Sequence, residues 1–291
     1  MAGFEESVLF EKPSGAGPSG SVTLATERMN LVVKVQRGVF HLETLYLFTR
    51  SDVKTVLVPQ IIFIMSAVLS GQALTTGHRE TAGEAVQRLP LAILWIWLNL
   101  IAQRLLLGMI PLTVGISAAL GGFKPTLTMM TLLWMYNDLD GSSINIWARN
   151  AINTGGIMCF SAGSLEVLSR GELLPKSWAW IGLTGVAIAT TVQALDFPDM
   201  EGDNARGRKT IPLLYGENVA RVGLAVMVLI WSIVCPTFWD LRLVFWTAPV
   251  GVGILMAALT ILRRDEKSDH VVAKLWCLWM SVVYILPIFT A

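Results

Sequence analysis

Residues 196–210 read Asp196-Phe-Pro-Asp199-Met-Glu201-Gly-Asp203-Asn-Ala-Arg206-Gly-Arg208-Lys209-Thr210, the only dense charge cluster in a chain that otherwise reads as lipid-soluble. Apolar runs of bilayer-crossing length flank it, at roughly 177–195 and 218–236. A charged stretch between two such runs is a membrane-surface loop, so the segment marks an all-α, polytopic transmembrane helical bundle. Its composition also points to chemistry. Asp199 and Asp203 are four positions apart, so a helix continuing through both would turn their carboxylates the same way. Asp196 lies just before Pro198, which can open that helix, and its carboxylate is expected beside the break. The spacing predicts three carboxylates converging on one small volume. Uncompensated negative charge at a bilayer edge is costly, and Mg²⁺ binds through one or two carboxylates together with substrate phosphates. Arg206, Arg208 and Lys209, just downstream, suit the remaining phosphate oxygens, the arginines by bidentate bonds. The pattern reads as a metal–diphosphate clamp; the plainer reading is a solvated loop of mixed charge.

Outside this loop the chain is apolar. Hydrophobic residues make up 54% of the 291, charged residues 15%, and there are 11 Trp; mean hydropathy is +0.59. These values exclude a soluble domain. A net charge of +1 carries no nucleic-acid signature, and no such partner is expected. Residues 1–50 are polar, with a Gly/Ser/Pro stretch at 12–21, and read as a largely flexible cytosolic tail ahead of a transmembrane domain over 51–291. No cleavable signal peptide is apparent. Cys159, Cys235 and Cys277 fall in apolar runs and read as small core residues. His41, His78 and His270 are widely spaced in tail or loops, with no metal-ligand spacing or nucleophile triad.

Further apolar runs at roughly 53–71, 89–121, 123–136, 150–169, 243–262 and 271–290 bring the expected spans to about eight or nine. The run at 89–122 is too long for one ordinary crossing and has no polar loop to divide it in two. Independently of that region, two spans separate Asn137-Asp138-Leu139-Asp140 from the Asp196 cluster, so both acidic groups share a membrane face. Two more lead to Arg263, Arg264 and Lys267 on that face, against Arg170, Lys176 and Arg242 on the other. Lys34, Arg37, Arg50 and Lys54, before the first span, agree. The positive-inside rule then puts both acidic groups at the cytosolic surface.

Asp199-Met-Glu-Gly-Asp203 followed by Gly207-Arg-Lys-Thr-Ile-Pro-Leu resembles the second aspartate motif of the UbiA superfamily, intramembrane prenyltransferases and terpene cyclases. The likeness extends from about Phe48 onward, through Phe48-Thr-Arg-Ser-Asp52-Val-Lys-Thr, Tyr136-Asn-Asp and Arg149-Asn150-Ala-Ile-Asn153. It is nearest to the fungal terpene cyclases of that superfamily. What the resemblance implies is a helical bundle around a central cavity, with two Asp-rich motifs that bind Mg²⁺ and an isoprenyl diphosphate. Asp199 and Asp203 match the metal-binding pair, Asp196 the preceding acidic position, and Arg206 and Lys209 the basic residues after it. The first motif departs from the pattern: Ala102-Gln103-Arg104 runs directly into apolar Leu105-Leu-Leu-Gly-Met-Ile, where fungal relatives carry a Glu-Asp pair and an Asn-Lys-Pro-Trp-Arg-Pro run. That gap accounts for the over-long apolar stretch. Arg104 matches the family's basic residue beside the first motif, and Gln103 adjoins it. Asn137-Asp138-Leu139-Asp140 imitates the superfamily's NDxxDxxxD, with its second Asp one residue early and Asn145 in the last acidic place; it is expected near the cavity mouth.

Ionising an allylic diphosphate requires metal ions and cationic side chains arranged beforehand, then an apolar pocket with aromatic faces that keeps water from the cation. Trp95, Trp97, Trp134, Tyr136 and Phe160 lie in spans that can border such a cavity, with interfacial anchoring or packing as the alternative for each. The expected activity is a Mg²⁺-dependent membrane terpene cyclase acting on farnesyl diphosphate, placed in the endoplasmic reticulum if the source is fungal. Asp196, Asp199, Asp203 and Lys209 are the expected catalytic residues; Arg206, Arg208, Arg104, Gln103, Asn137, Asp138 and Tyr136 would bind substrate. Nothing like the Arg-Thr-x-x-Arg-Pro-Leu run of aromatic-acceptor members follows Asn137 or Arg104. Intermolecular prenyl transfer stays open as an alternative, as does an inactive member lacking the first motif. A transporter fits less well, since the acids lie at span ends and no repeat is visible. Asp52 and Lys54 are read as helix-start and headgroup residues, and Glu166 as interfacial.

Overall fold

Every regular element among the described residues is helical. Proline opens several of them, because its missing N–H falls where a helix has no acceptor to offer and its φ suits the first turn. Pro59 begins α1 (Val58–Leu69), behind a π-helical turn at Val53–Leu57; Pro111 begins α3 (Ile110–Leu120); and Pro175 begins α6 (Pro175–Thr191). α2 (Ala82–Leu105), α4 (Phe123–Asn137) and α5 (Ile146–Ser169) complete the first half. Asn145 caps α5, its side-chain oxygen accepting from Ala148 N at 2.7 Å. After α6 the chain tightens into 3₁₀ turns at Val192–Leu195 and Phe197–Asp199, then forms the short helices α7 (Met200–Ala205) and α8 (Ile211–Tyr215). α9 (Glu217–Phe238), α10 (Thr247–Leu262) and α11 (Glu266–Ile285) follow. Asp265 caps α11 by accepting from Ser268 Oγ at 2.8 Å and Ser268 N at 3.1 Å, and those bonds hold its carboxyl below the usual carboxylate range.

This computed structural model describes residues 39–40, 43, 52–71, 74, 82–105, 109–141, 145–170 and 173–290, divided between units Met1–Phe48 and Thr49–Ala291. In the first unit only Val39, Phe40 and Glu43 are described, all helical; the flexible tail expected there otherwise lies outside the described residues. In the second, five stretches are long and apolar enough to cross a membrane: Gly83–Ala102, Pro175–Ala205, Glu217–Phe238, Leu243–Leu262 and Glu266–Thr290. Val53–Leu69 and Ile110–Leu120 are apolar but shorter. The chain is a multi-pass integral membrane protein.

The long apolar run at 89–122 separates into two helices, α2 ending at Leu105 and α3 beginning at Ile110. The 11 residues of α3 rise only about 16 Å, short of the roughly 30 Å of a hydrocarbon core. α3 leads into α4 across Gly121, whose φ of 107° disfavours any other residue. Arg88 Nη2 donates to the Leu120 carbonyl at 3.1 Å and satisfies the end of α3.

The helices of this unit close a circuit. α2 packs on α5, α5 on α6, α6 on α9, α9 on α10, α10 on α11, α11 on α1, and α1 on α2 and α5. Lipid tails are as apolar as leucine, so close packing and polar bonds hold such helices together more than burial does. Gln60 and Ser161 exchange bonds of 3.1 and 3.2 Å between α1 and α5. Indole N–H groups do the same elsewhere: Trp279 to Ser232 at 2.9 Å, Trp231 to Thr190 at 2.9 Å and Trp276 to Thr191 at 3.0 Å. The strongest tie is Arg221, 2% exposed. It forks onto Asp269 at 2.8 Å through both terminal nitrogens, reaches Glu217 at 2.7 Å and donates to the Thr260 carbonyl at 3.2 Å. Its guanidinium lies 4.6 Å from the Phe197 ring centre, so α9, α10, α11 and the 3₁₀ segment meet on one cation.

Candidate active site

The 3₁₀ turns after α6 wind more tightly than an α-helix and return the chain to the start of α5. There Arg149 Nη2 donates to Asp196 Oδ1 at 3.1 Å, both side chains being about nine-tenths buried. Arg149 also stands 4.0 Å from Asp203 Oδ2. Asp203, buried in α7, takes Arg208 at 3.0 Å and Arg206 at 3.8 Å on its other oxygen. Arg206 reaches on to Asp199 at 3.4 Å, where both groups are 54% exposed. The acids are therefore strung on arginines: Asp196, Arg149, Asp203, Arg206, Asp199.

This differs from the expected geometry. The helix does not run through Asp199 and Asp203; it starts at Met200 with Asp199 as the preceding cap residue. One carboxylate consequently points outward and the other inward. A Cβ at Gly202 would collide with Asp199 Oδ1, so glycine is what lets that carboxylate fold over the helix start. Among the described residues no group of three acids, histidines or cysteines is close enough to hold a metal by itself. Buried Asp196 and Asp203 each meet an arginine, because two buried like charges without counter-ions are prohibitively costly.

Arg208 joins this cluster to a cavity of about 520 Å³. A backbone bond from its N–H to the Asp203 carbonyl, 2.9 Å, sets its direction. Asp52, Thr55, Tyr136, Asn137 and Asn153 give the cavity its other polar groups, while Leu100, Met129, Leu132, Ile157, Phe160, Leu195 and Trp276 supply an apolar wall. The volume is that of a small-molecule site. An arginine shared between a carboxylate cluster and an apolar chamber suits an anionic head on a hydrocarbon tail.

Of the residues expected here, Asp196, Asp199, Asp203, Arg206 and Arg208 come together, and Tyr136 and Asn137 line the cavity with Arg208. Lys209 is exposed between α7 and α8, and Asp138 is exposed at the end of α4. Gln103 and Arg104 fall in α2, with side chains outside the described set. Trp95 is wholly buried, Trp97 and Trp134 are 40% and 54% exposed, and Phe160 faces the cavity. Asp52 also lines the cavity, beyond its expected helix-start role. Arg149 and Trp276 were not read as site residues. Arg149 had a signal, a charge entering an apolar run beside Asn150; Trp276 had none, being one of 11 tryptophans.

Fold and site together define a multi-pass helical membrane protein with a carboxylate–arginine cluster over an apolar cavity. The model of the UbiA prenyltransferase family matches residues 75–281, and the chain belongs to that family. It is similar to fumagillin beta-trans-bergamotene synthase of Aspergillus fumigatus, 32% identical over 166 residues, 56% of this chain and 57% of that protein. Somaliensene A/B synthase of Streptomyces somaliensis is 24% identical over 287 residues, 84% of this chain and 92% of that protein. Digeranylgeranylglyceryl phosphate synthase of Methanobrevibacter smithii is 28% identical over 105 residues, 34% of this chain and 37% of that protein. The match to the Aspergillus protein thus spans little more than half of its length. No solved structure gives a significant match.

Proposed function

We propose that this protein ionises an isoprenyl diphosphate, farnesyl diphosphate first among candidates, and cyclises the resulting cation at the cytosolic membrane face, that of the endoplasmic reticulum if the source is fungal. The observation that carries this reading is the dual role of Arg208, which lines the apolar cavity and pairs with buried Asp203 at 3.0 Å. A diphosphate held by Arg208, Arg206 and Lys209 would leave its hydrocarbon chain in the cavity. The similarity to a bergamotene synthase and a somaliensene synthase supports the same reading.

The residues fit a hard divalent cation. Among the described residues, Asp196 Oδ2 is buried with no hydrogen-bond partner and Asp199 pairs with an exposed arginine at 3.4 Å, so both have oxygens to offer. Mg²⁺ asks for one or two carboxylates beside substrate phosphates, not a closed protein cage. Asp196 and Asp199, supported by Asp203, would hold it, and it would neutralise charge on the departing diphosphate. The chain's own part is to fix the cluster before reaction: Arg149 orients Asp196, Asp203 aims Arg208, and the apolar wall excludes water.

Prenyl transfer to a separate acceptor is the second reading, favoured by the similarity to the Methanobrevibacter synthase. Membranes containing the protein, Mg²⁺ and C10 to C20 isoprenyl diphosphates, with and without an aromatic acceptor, separate the two by mass analysis of products. Cyclic hydrocarbon supports cyclisation, and acceptor-dependent product supports transfer. If neither forms, while a version with a first-motif loop inserted between Arg104 and Gly108 is active, the chain is an inactive family member. Replacing Asp199 and Asp203 together by Asn is expected to reduce diphosphate release by at least about a hundredfold; undiminished release would overturn the reading.

A further inference from the structure

We propose that Asp52, together with Asn137 and Asn153, forms a divalent-cation site in the mouth of the cavity, separate from the carboxylate–arginine cluster and filled only when a diphosphate is bound. The inference rests on the diphosphate-ionising reading above. Among the described residues that line the cavity, Asp52 is the one acid. It stands directly before the π-helical turn Val53–Leu57, and Thr55 and Val56, three and four positions on, line the same chamber. Such spacing puts side chains on one helix face, and single π turns recur at functional sites. Asn137 closes α4 and Asn153 lies two turns into α5, so three separate elements bring a side-chain oxygen to one space. Asp52 and Asn153 are partly buried and Asn137 is exposed, which places the group at an open mouth where a hydrated ion can enter.

Charge decides what those oxygens are for. Arg208 is the one cation among the described lining residues, and Asp203, 3.0 Å away, already neutralises part of its charge. A diphosphate drawn to Arg208 therefore shares a small, largely apolar chamber with the Asp52 carboxylate. Two anions in such a space repel strongly, because little water is present to screen them. A divalent cation between them turns the repulsion into attraction on both sides. The donors suit it: a carboxylate and two amide oxygens are hard ligands, and Mg²⁺ binds through one or two carboxylates, retained waters and substrate phosphates. Since no group of three acids, histidines or cysteines among the described residues makes a metal cage, the ion depends on the phosphate oxygens and binds with them.

A purely repulsive Asp52 predicts the opposite sign. A carboxylate that only repels diphosphate would bind it better once neutralised, with or without metal. A carboxylate that holds a cation would bind diphosphate worse once neutralised, and only when metal is present. Asn153→Asp makes the same distinction from the other side, since an added negative charge strengthens a cation site and weakens one that binds anions alone.

The experiment uses the purified full chain in detergent with inorganic pyrophosphate, and Mn²⁺ as a spectroscopic stand-in for Mg²⁺. Bound Mn²⁺ is counted by loss of the free-ion electron paramagnetic resonance signal, pyrophosphate affinity is measured in Mn²⁺ and in EDTA, and folding is checked by monodispersity. Wild type is expected to take up about one more Mn²⁺ per chain than D52N. D52N should weaken pyrophosphate binding at least about tenfold in Mn²⁺ and leave it unchanged or tighter in EDTA, while N153D should tighten Mn²⁺ at least about threefold. E201Q, at an exposed acid off the cavity, should match wild type. Equal Mn²⁺ counts in folded wild type and D52N would overturn the proposal, as would tighter pyrophosphate binding by D52N in Mn²⁺. Diphosphate release from farnesyl diphosphate, measured in the same preparations, judges the parent reading separately. Release by a wild type whose Mn²⁺ count matches that of D52N keeps that reading and removes this site; Mn²⁺ uptake that depends on Asp52, without release, keeps the site and removes the reaction.

Discussion

Arg149 is the residue on which the candidate site turns, because it places a cation against Asp196 where neither group can reach bulk water. Removing one member of a buried pair leaves the other charge uncompensated, and the loss exceeds what the pair contributes. Arg149→Met is therefore expected to lower stability by about 3–5 kcal/mol, measured as thermal unfolding in detergent, and to abolish turnover. Arg149→Lys keeps the charge without the planar fork, so stability should largely recover while kcat stays depressed. Gly202 presents a different case. Its missing Cβ leaves room for Asp199, an exposed group whose displacement touches no core contact. Gly202→Ala is expected to cut diphosphate release by about tenfold, a misplacement effect on preorganised groups, with little change in the melting temperature; unchanged release would show that Asp199 has no fixed role.

The elements that carry the site are held from the far side by Arg221. Its fork to Asp269 ties α9 to α11, and its contact with Phe197 reaches the segment bearing Asp196. Asp269→Ala should destabilise the protein by about 3–5 kcal/mol, whereas Glu217→Ala, at a partly exposed member of the same network, should cost less than about 1 kcal/mol. Equal losses from the two would mean that the bidentate bond is not what joins these helices. The α6 break is legible in part. Pro198 and the charges around it announce a change of direction, but the residue at which the helix tightens, Thr191, carries no such mark, because threonine is common inside membrane helices and bonds back to its own turn.

At the scale of the whole molecule, the proposed reading requires the α4–α5 connection and the α6–α9 connection to share one membrane face, the cytosolic one. In a background without Cys159, Cys235 and Cys277, single cysteines at Asn137 and Glu201, both exposed, are expected to react with an impermeant thiol reagent from the cytosolic side. A cysteine at Lys176, exposed at the start of α6, should react only from the other. Labelling of the first two from opposite sides would break the parity on which the cavity depends.

Membrane class, acidic loop and family were all readable from the chain, since hydropathy, charge and short motifs are properties of neighbouring residues. The three aspartates were legible for the same reason. What the chain alone did not reveal was their partnership: Arg149 meets Asp196 across 47 positions, and Trp276 meets Thr191 across 85. Such pairings follow from which helix faces pack together and from where a helix tightens. Only the folded bundle decides that Asp196 and Asp203, bunched in sequence, are each neutralised by an arginine, because burial makes their repulsion too costly to leave unpaired.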